Sequence, residues 1–431
     1  MNRTSTRLRS SLLTRVAVIA ALSFGSLGLA SPVLAAEKPK AAAPAQYSPD
    51  FLKVAGPLQT AVENARKANN PPADVAALVA KVDPLMAAVK SADDKFGAGG
   101  LLIAIGTAAK DTALQRKGVL LELESGKAPA DFTGKLHVYA AQFAYDAKDY
   151  PDTRAQVKAA LDGGYKDVQL EVLSADSWFQ EKKLPEGMAA LKEVIEHARA
   201  SGVKIDESWY RRGLGASEDT HNGDYGTYFS VGLVNDFGTP QNWSLAIAVV
   251  RDTHQYNLAE TLDLLRILAR ANAFQNEREY LDYIEAADPI RNPEEVKIAA
   301  DKGIAAGKLK AATPFVADAL RISTQRMNTD KASLPELDKL AHAATAKTTT
   351  IVNTGDAYLG FNQAAKAAEL YKLALTKGDV DKPTANTRLG IALYDAGDLA
   401  GAKAAFAAVD GPRTPIAQLW LAQIAAKAAG K

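Results

Sequence analysis

The 431-residue chain contains no cysteine, and this absence removes several kinds of chemistry from consideration. It excludes disulfides, thiol nucleophiles, cysteine-ligated metals and a lipid-modified N-terminal cysteine. Because no disulfide can support the fold, its stability must come from a packed core, for which a hydrophobic content of 47% is sufficient.

The net charge is small, and histidine is scarce. The formal net charge is +1, so the positive surface that nucleic-acid binding requires is not indicated. The five histidines are scattered with no His-x3-His pair, and we expect no metal site. The glycine-rich FGAGG (96–100) has Leu102 where a dinucleotide fingerprint needs its third glycine, so we expect a helix-starting loop there and no cofactor.

The first 36 residues have the pattern of an export signal. Four arginines and no acidic residue precede an apolar stretch (16–30), and SPVLAA (31–36) offers small residues for cleavage after Ala35 or Ala36. The lack of an Arg-Arg pair favours a Sec-type route over a twin-arginine route. We expect a periplasmic or secreted protein with no stable membrane insertion after cleavage, the alternative being an uncleaved N-terminal anchor.

A recurring order of small and large residues organises the C-terminal part of the chain. GIALYDAGDLAGAKAAF (390–406) has small residues at Gly390 and Ala402 and a large one at Phe406. Residues three and four apart share a helix face, so this order predicts two helices that cross closely at the small residues. Gly397 lies where the first helix should end.

Copies of the same order predict a stack of helical hairpins. A comparable copy occurs at 354–375, and 148–161 and 183–195 carry the second half of the pattern; neighbouring copies are 34 or 35 residues apart. Looser copies occur at 257–268 and 308–320. A single hairpin cannot bury its apolar face, and we therefore expect the copies to pack on one another.

The segments between and before these copies are also expected to be helical. We predict an additional hairpin around 223–229, additional helices at 277–287 and 334–344, and upstream helices at 48–68, 72–90 and 100–123.

The pattern resembles the tetratricopeptide repeat, whose signature combines Leu-Gly-x2-Tyr with Ala-x3-Phe over about 34 residues. Leu389, Gly390, Leu393 and Phe406 match it, and Asn386 replaces its leading tryptophan. The resemblance implies an all-α fold, a right-handed α-solenoid of hairpins with extra helices between some repeats. It also implies binding of a protein or peptide partner without catalysis.

The predicted organisation has six parts. They are a signal peptide (1–36), a disordered Pro/Ala/Lys-rich linker (37–47), an N-terminal helical region (48–130), divergent repeats (131–320), an extra helix and loop (321–347), and C-terminal repeats (348–431). We interpret the whole as a periplasmic scaffold or adaptor in cell-envelope assembly.

The segment 207–243 departs from the repeat order and concentrates aromatic and arginine residues, which makes it the predicted partner-binding face. The candidate residues are Trp209, Tyr210, Arg211, Arg212, Tyr225, Tyr228, Phe229, Trp243 and Arg251. The alternative for the aromatics is an ordinary hairpin core, and for the arginines a solvated face.

Two other functions stay open for this segment. Glu207 and Ser208 in ESWYRR resemble the catalytic segment of lytic transglycosylases, in which Glu207 would be the general acid acting on cell-wall glycan. The downstream Gly-Leu-Met-Gln segment of that family is absent, so we expect no enzyme activity. The aromatics could instead bind polysaccharide, as in an export accessory protein.

Overall fold

The computed structural model describes residues 45–430, and every regular element in this range is helical. The chain divides into two compact units, Met1–Ile205 and Asp206–Lys431, and this division falls inside the predicted repeat region 131–320. The predicted signal peptide (1–36) and residues 37–44 of the predicted linker lie outside the described residues.

The first unit contains nine helices within its described residues, 45–205. They are α1 (Pro49–Lys67), α2 (Pro72–Val79), α3 (Val82–Ala87), α4 (Ala92–Ala109), α5 (Thr112–Ser125), α6 (Ala130–Asp146), α7 (Tyr150–Asp162), α8 (Val168–Gln180) and α9 (Leu184–Ala200).

The second unit contains twelve α-helices within residues 206–430. They are α10 (Glu207–Thr220), α11 (Gly223–Phe237), α12 (Pro240–Thr253), α13 (Leu258–Arg270), α14 (Glu277–Ala287), α15 (Pro293–Ala305), α16 (Pro314–His342), α17 (Thr348–Gly360), α18 (Ala364–Leu375), α19 (Lys382–Asp395), α20 (Leu399–Ala407) and α21 (Thr414–Ala428). In neither unit does the described part of the chain include a helix long and apolar enough to cross a membrane.

Four hairpins, α6–α7, α8–α9, α17–α18 and α19–α20, share one three-residue turn. Its middle residue has a left-handed backbone, with φ between 53° and 87°. The next residue donates its N–H to a carbonyl five residues earlier, as from Asp398 to Leu393 at 2.9 Å, which closes the end of the first helix. The middle residues are Lys148, Lys182, Asn362 and Gly397. The repeated turn confirms these predicted hairpins.

Helix crossings within the hairpins follow the predicted order of small and large residues. A Cβ atom on Gly390 would lie 2.6 Å from Cζ of Phe406, and one on Gly355 would lie 2.8 Å from Cε1 of Tyr371. Both aromatic rings are buried. Glycine is therefore favoured at these two crossings, because a larger residue would overlap the ring unless the ring moved.

The N-terminal helices begin and end differently from the prediction. The segment 72–90 forms two short helices, and 100–123 is interrupted where Lys110 adopts a left-handed backbone and Asp111 caps α5. FGAGG is not a helix-starting loop, since it lies inside α4. A Cβ atom on Gly99 would come within 2.7 Å of the Gly118 carbonyl oxygen, so these glycines permit the close packing of α4 on α5.

The end of the predicted linker is held on the first unit, which corrects the expectation of disorder for Gln46 and Tyr47. The Gln46 N–H donates to Asp93 (2.9 Å), and the Tyr47 ring stacks on Phe51. Next to them, the backbone N–H and hydroxyl of Ser48 both donate to buried Asp94 (2.8 Å each).

The prediction for 308–344 was also incorrect in detail. Residues 308–313 are not helical and Ala312 is exposed, whereas α16 runs unbroken for 29 residues and includes all but the last two residues of the predicted helix 334–344. Proline at the first position of a helix is favourable, which explains why the helix begins at Pro314. The predicted hairpin near 223–229 is present as α10–α11, and α14 spans the predicted 277–287.

The last helix of the second unit returns to its first helices. Helix α21 packs on α11 and α13 as well as on its neighbour α20. The hydrophobic core of this unit is continuous from Val234 to Ile424. Trp420 of α21 is fully buried in it and stacks on Phe406, with ring centroids 5.5 Å apart.

Candidate binding cleft and comparison with known proteins

The predicted partner-binding residues lie on α10, α11 and α12, and the structure divides them by burial. Trp209, Tyr210, Phe229 and Trp243 are buried core residues, which corrects their prediction as surface anchors. A Cβ atom on Gly213 would lie 2.5 Å from the Phe229 ring, so this pair repeats the packing order of Gly390 and Phe406. The core interpretation therefore holds for the four buried aromatics, while Tyr225 and Tyr228 are only half-buried.

Two of the three predicted arginines, Arg211 and Arg251, connect different helices. Arg211 donates to Glu207 (2.8 Å) and to the side-chain oxygen of Asn242 (2.5 Å), and Arg251 donates to Asp282 (2.5 Å). Arg212 is half-buried. Asn242 also donates to Glu207 at 3.2 Å. Glu207 thus pairs with Arg211 on its own helix and accepts a hydrogen bond from Asn242 of α12, and these contacts give the carboxylate a structural role.

A cleft of about 780 Å³ opens elsewhere in the second unit. It is formed by α13, the end of α14, the loop 288–292, the start of α16, α17 and α19. Leu258 and Phe315 line it with 59% and 45% of their surface exposed. Exposed Ile290 lies between two lining residues, Pro289 and Arg291. Three large exposed apolar residues therefore lie in or beside one cleft.

The polar wall of the cleft contains paired arginines. Arg266 donates to Asp263 (3.0 Å) and forms two hydrogen bonds with Glu295 (2.9 and 2.8 Å). Arg388 forms an ion pair with Asp356 (2.7 Å) and approaches Asp263 at 3.5 Å. Both guanidinium groups are consequently occupied by carboxylates of the protein itself.

Burial and charge act in opposite directions on the ionisable groups beneath the cleft. Burial alone would raise the pKa of Glu295, but attraction to Arg266 and hydrogen bonds from it lower that pKa to about 2. Burial raises the pKa of Tyr283, whose hydroxyl donates to Glu295 at 2.6 Å, and the nearby Glu295 charge raises it further. Glu295 is therefore a carboxylate at neutral pH, and Tyr283 is protonated.

The end of the chain completes this charged network. Arg413 donates to Asp263 (2.7 Å), and the Trp420 indole N–H donates to the backbone oxygen of the same residue (2.9 Å). These partners are at least 150 residues apart in the sequence. Sequence reasoning missed them because pairs this distant leave no local pattern.

One local signal could have indicated the network. Every residue from Leu262 to Leu268 is buried, so α13 has no solvent face along this stretch. Asp263 and Arg266 interrupt an apolar run, and charges that cannot reach water need partners inside the protein. An acidic and a basic residue three apart in such a run therefore indicate a buried ion pair.

No protein-family model matches the chain, and no curated protein matches it. Among solved structures, it is similar to a tetratricopeptide repeat protein from Parabacteroides merdae, at 11% identity and a TM-score of 0.21. That alignment covers 67% of this chain and 94% of the other chain. The APC/C hetero-tetramer Cut9–Hcn1 gives 12% identity and a TM-score of 0.22, covering 84% of this chain and 66% of the other chain.

TM-scores this low describe poor global superposition, so the hairpins themselves must define the fold. Hairpins with a common turn follow one another at 34 or 35 residues, from Tyr150 to Leu184 and from Ala364 to Leu399. Small residues at their crossings receive aromatic rings. The fold is of the tetratricopeptide-repeat type. Its additional helices and the return of α21 distinguish this tetratricopeptide-like chain from a simple row of identical repeats.

Proposed function

We propose that this tetratricopeptide-like chain is a non-catalytic scaffold that is exported to the periplasm and binds a protein or peptide partner in cell-envelope assembly. The observation that carries the proposal is the cleft of about 780 Å³ in the second unit. Its lining includes two large apolar side chains, Leu258 and Phe315, that are 59% and 45% exposed. Export is supported by the arginines, apolar stretch and small residues of the first 36 positions.

The apolar side chains of the cleft favour a protein partner. Single exposed hydrophobic residues are common on soluble proteins, but Leu258 and Phe315 line one cleft, and exposed Ile290 lies between two of its lining residues in the sequence. A partner that covers them would gain the free energy of apolar burial. The glycan-binding alternative is less favoured, because stacking on sugars needs exposed aromatic faces and four of the predicted aromatics are buried.

Comparative affinity capture from envelope extracts tests the proposal. The double variant Leu258→Asp, Phe315→Asp should lose the partner that the wild type retains. Both positions are in the first turn of a helix, where an acidic residue is favourable, so the variant should fold normally. The matched control is Leu340→Asp, which changes an equally exposed leucine (52%) of the same unit that does not line the cleft.

A second arm examines the face predicted from the sequence. If Arg211→Ala, Arg212→Ala loses the partner while the cleft variant keeps it, the binding face lies on α10–α12 and the cleft is not the site. If both variants and the control retain the same proteins as the wild type, neither face binds.

Export has its own measurement. The protein recovered from the native host should be in a soluble envelope fraction and should begin at Ala36 or Glu37 by N-terminal sequencing. An intact N-terminus on protein from the cytosol would contradict the periplasmic part of the proposal.

A further inference from the structure

One carboxylate in the cleft differs from all its charged neighbours. Glu285 lines the cleft and is exposed, and among residues 45–430 no basic side chain lies within ion-pair distance of it. The three arginines that line the same cleft each have an acidic partner: Arg266 and Arg388 in the buried network, and Arg291 with Asp288 at 3.6 Å. Among residues 45–430, Glu285 is therefore the charged residue of the cleft lining that has no ion-pair partner.

The position of Glu285 on its helix increases this negative character. It is the third residue from the end of α14, where the unpaired carbonyl groups give the helix a partial negative charge. An acidic side chain is unfavourable there unless a cation compensates it. Glu277, at the first position of the same helix, occupies the favourable end.

Apolar and acidic features of the cleft are found side by side. Leu258 and Phe315 provide apolar surface in the cavity that Glu285 also lines. A segment with only apolar side chains would leave the carboxylate without a partner as water is displaced, and an acidic segment would add repulsion. A segment that combines apolar residues with one cation satisfies both features.

We propose that the cleft binds an apolar protein segment that carries a lysine or arginine, and that Glu285 forms the ion pair with this cation. The inference rests on the proposed function, because it specifies the chemistry of the partner that occupies the same cleft.

Selection of random dodecapeptides displayed on phage, with the full mature chain as bait, tests this partner chemistry. The wild type should enrich peptides that combine apolar residues with lysine or arginine. Glu285→Lys should lose the enrichment of basic peptides, whereas Glu277→Lys, which makes the same charge change at the other end of α14, should retain it. A synthetic peptide selected on the wild type should bind Glu285→Gln about fivefold more weakly, and added salt should reduce that difference.

The outcomes separate this inference from the proposed function. Enrichment of acidic or uncharged peptides that still require Phe315 would overturn the role of Glu285 and leave the cleft as a binding site. Basic peptides that bind equally well to Glu285→Lys would do the same. If no peptide is enriched, or if binding is unaffected by Leu258→Asp, Phe315→Asp, the inference and the cleft as the binding site both fail.

Discussion

Replacing Gly390 by alanine sets two physical effects of similar size against each other. In a helix interior, alanine is more favourable than glycine by about 0.5–1 kcal/mol, because it restricts the unfolded chain. The new methyl group, however, would lie 2.6–2.7 Å from three carbons of the Phe406 ring. The ring cannot retreat easily, because it stacks on Trp420, which is itself buried and hydrogen-bonded to Asp263.

Overpacking of a closed core costs about 1–3 kcal/mol, so the steric effect should exceed the gain in helix propensity. We expect Gly390→Ala to lower the free energy of unfolding of the second unit by about 1–2 kcal/mol. Gly215 provides the control, since it also lies inside a helix of this unit but a Cβ atom there would meet nothing within 4 Å. Gly215→Ala should stabilise the unit by about 0.5–1 kcal/mol.

Urea unfolding followed by far-UV circular dichroism and tryptophan fluorescence measures both changes. The two substitutions are chemically identical, but the new methyl group meets the Phe406 ring at position 390 and nothing within 4 Å at the exposed position 215. If both variants are stabilised to the same extent, the close crossing of α19 and α20 is wrong, and the assignment of the repeat packing is wrong with it.

Three further predictions concern stability. Ala402→Leu at a buried crossing should destabilise the second unit by about 1–3 kcal/mol, whereas Ala400→Leu at an exposed position should change its melting temperature little. The pKa of Glu295 is lowered to about 2 in the folded state, so ionised Glu295 contributes on the order of 3 kcal/mol to the free energy of unfolding. This contribution is present above about pH 5 and is lost as the pH falls toward 2. Glu295→Gln should therefore flatten the pH dependence of urea unfolding in this window. Asp94→Ala should lower the free energy of unfolding of the first unit by about 2 kcal/mol or more, because buried Asp94 accepts hydrogen bonds from the backbone and side chain of Ser48. An unchanged unfolding transition of the first unit would show that this contact is dispensable.

Local patterns were sufficient to predict the hairpins, because a hairpin is stabilised by contacts between residues that are near in sequence. The spacing of Gly355 and Gly390 and the position of Gly397 all correspond to features of the structure. Turns without glycine were harder to recognise, since Lys148 and Lys182 adopt the same left-handed backbone that glycine takes more easily.

Features that depend on distant contacts could not be predicted in this way. The pairing of Asp263 with Arg413 joins α13 to the residues just before α21, and nothing near either residue indicates its partner. The aromatic segment 207–243 was predicted to be a binding surface, but four of its large rings are buried. Whether a ring is buried depends on which small residues face it. Phe229 faces Gly213, which leaves room for the ring in the core.

The cleft was not predicted because its walls come from helices that are widely separated in sequence. Leu258, Glu285 and Phe315 each resemble ordinary residues of a helix end when considered singly. Their significance comes from their position around one cavity. Only the packing of α13, α14 and α16 brings them together.

Site-specific photo-crosslinking in the native host tests the central claim, that the cleft binds a protein partner, most directly. A benzoylphenylalanine at position 315 places the reactive group where Phe315 lines the cleft, and one at position 340 places it on an exposed surface of the same unit outside the cleft. We predict a light-dependent adduct with one discrete protein from position 315 and none from position 340. The absence of an adduct at 315, or the same adducts at both positions, would contradict the claim.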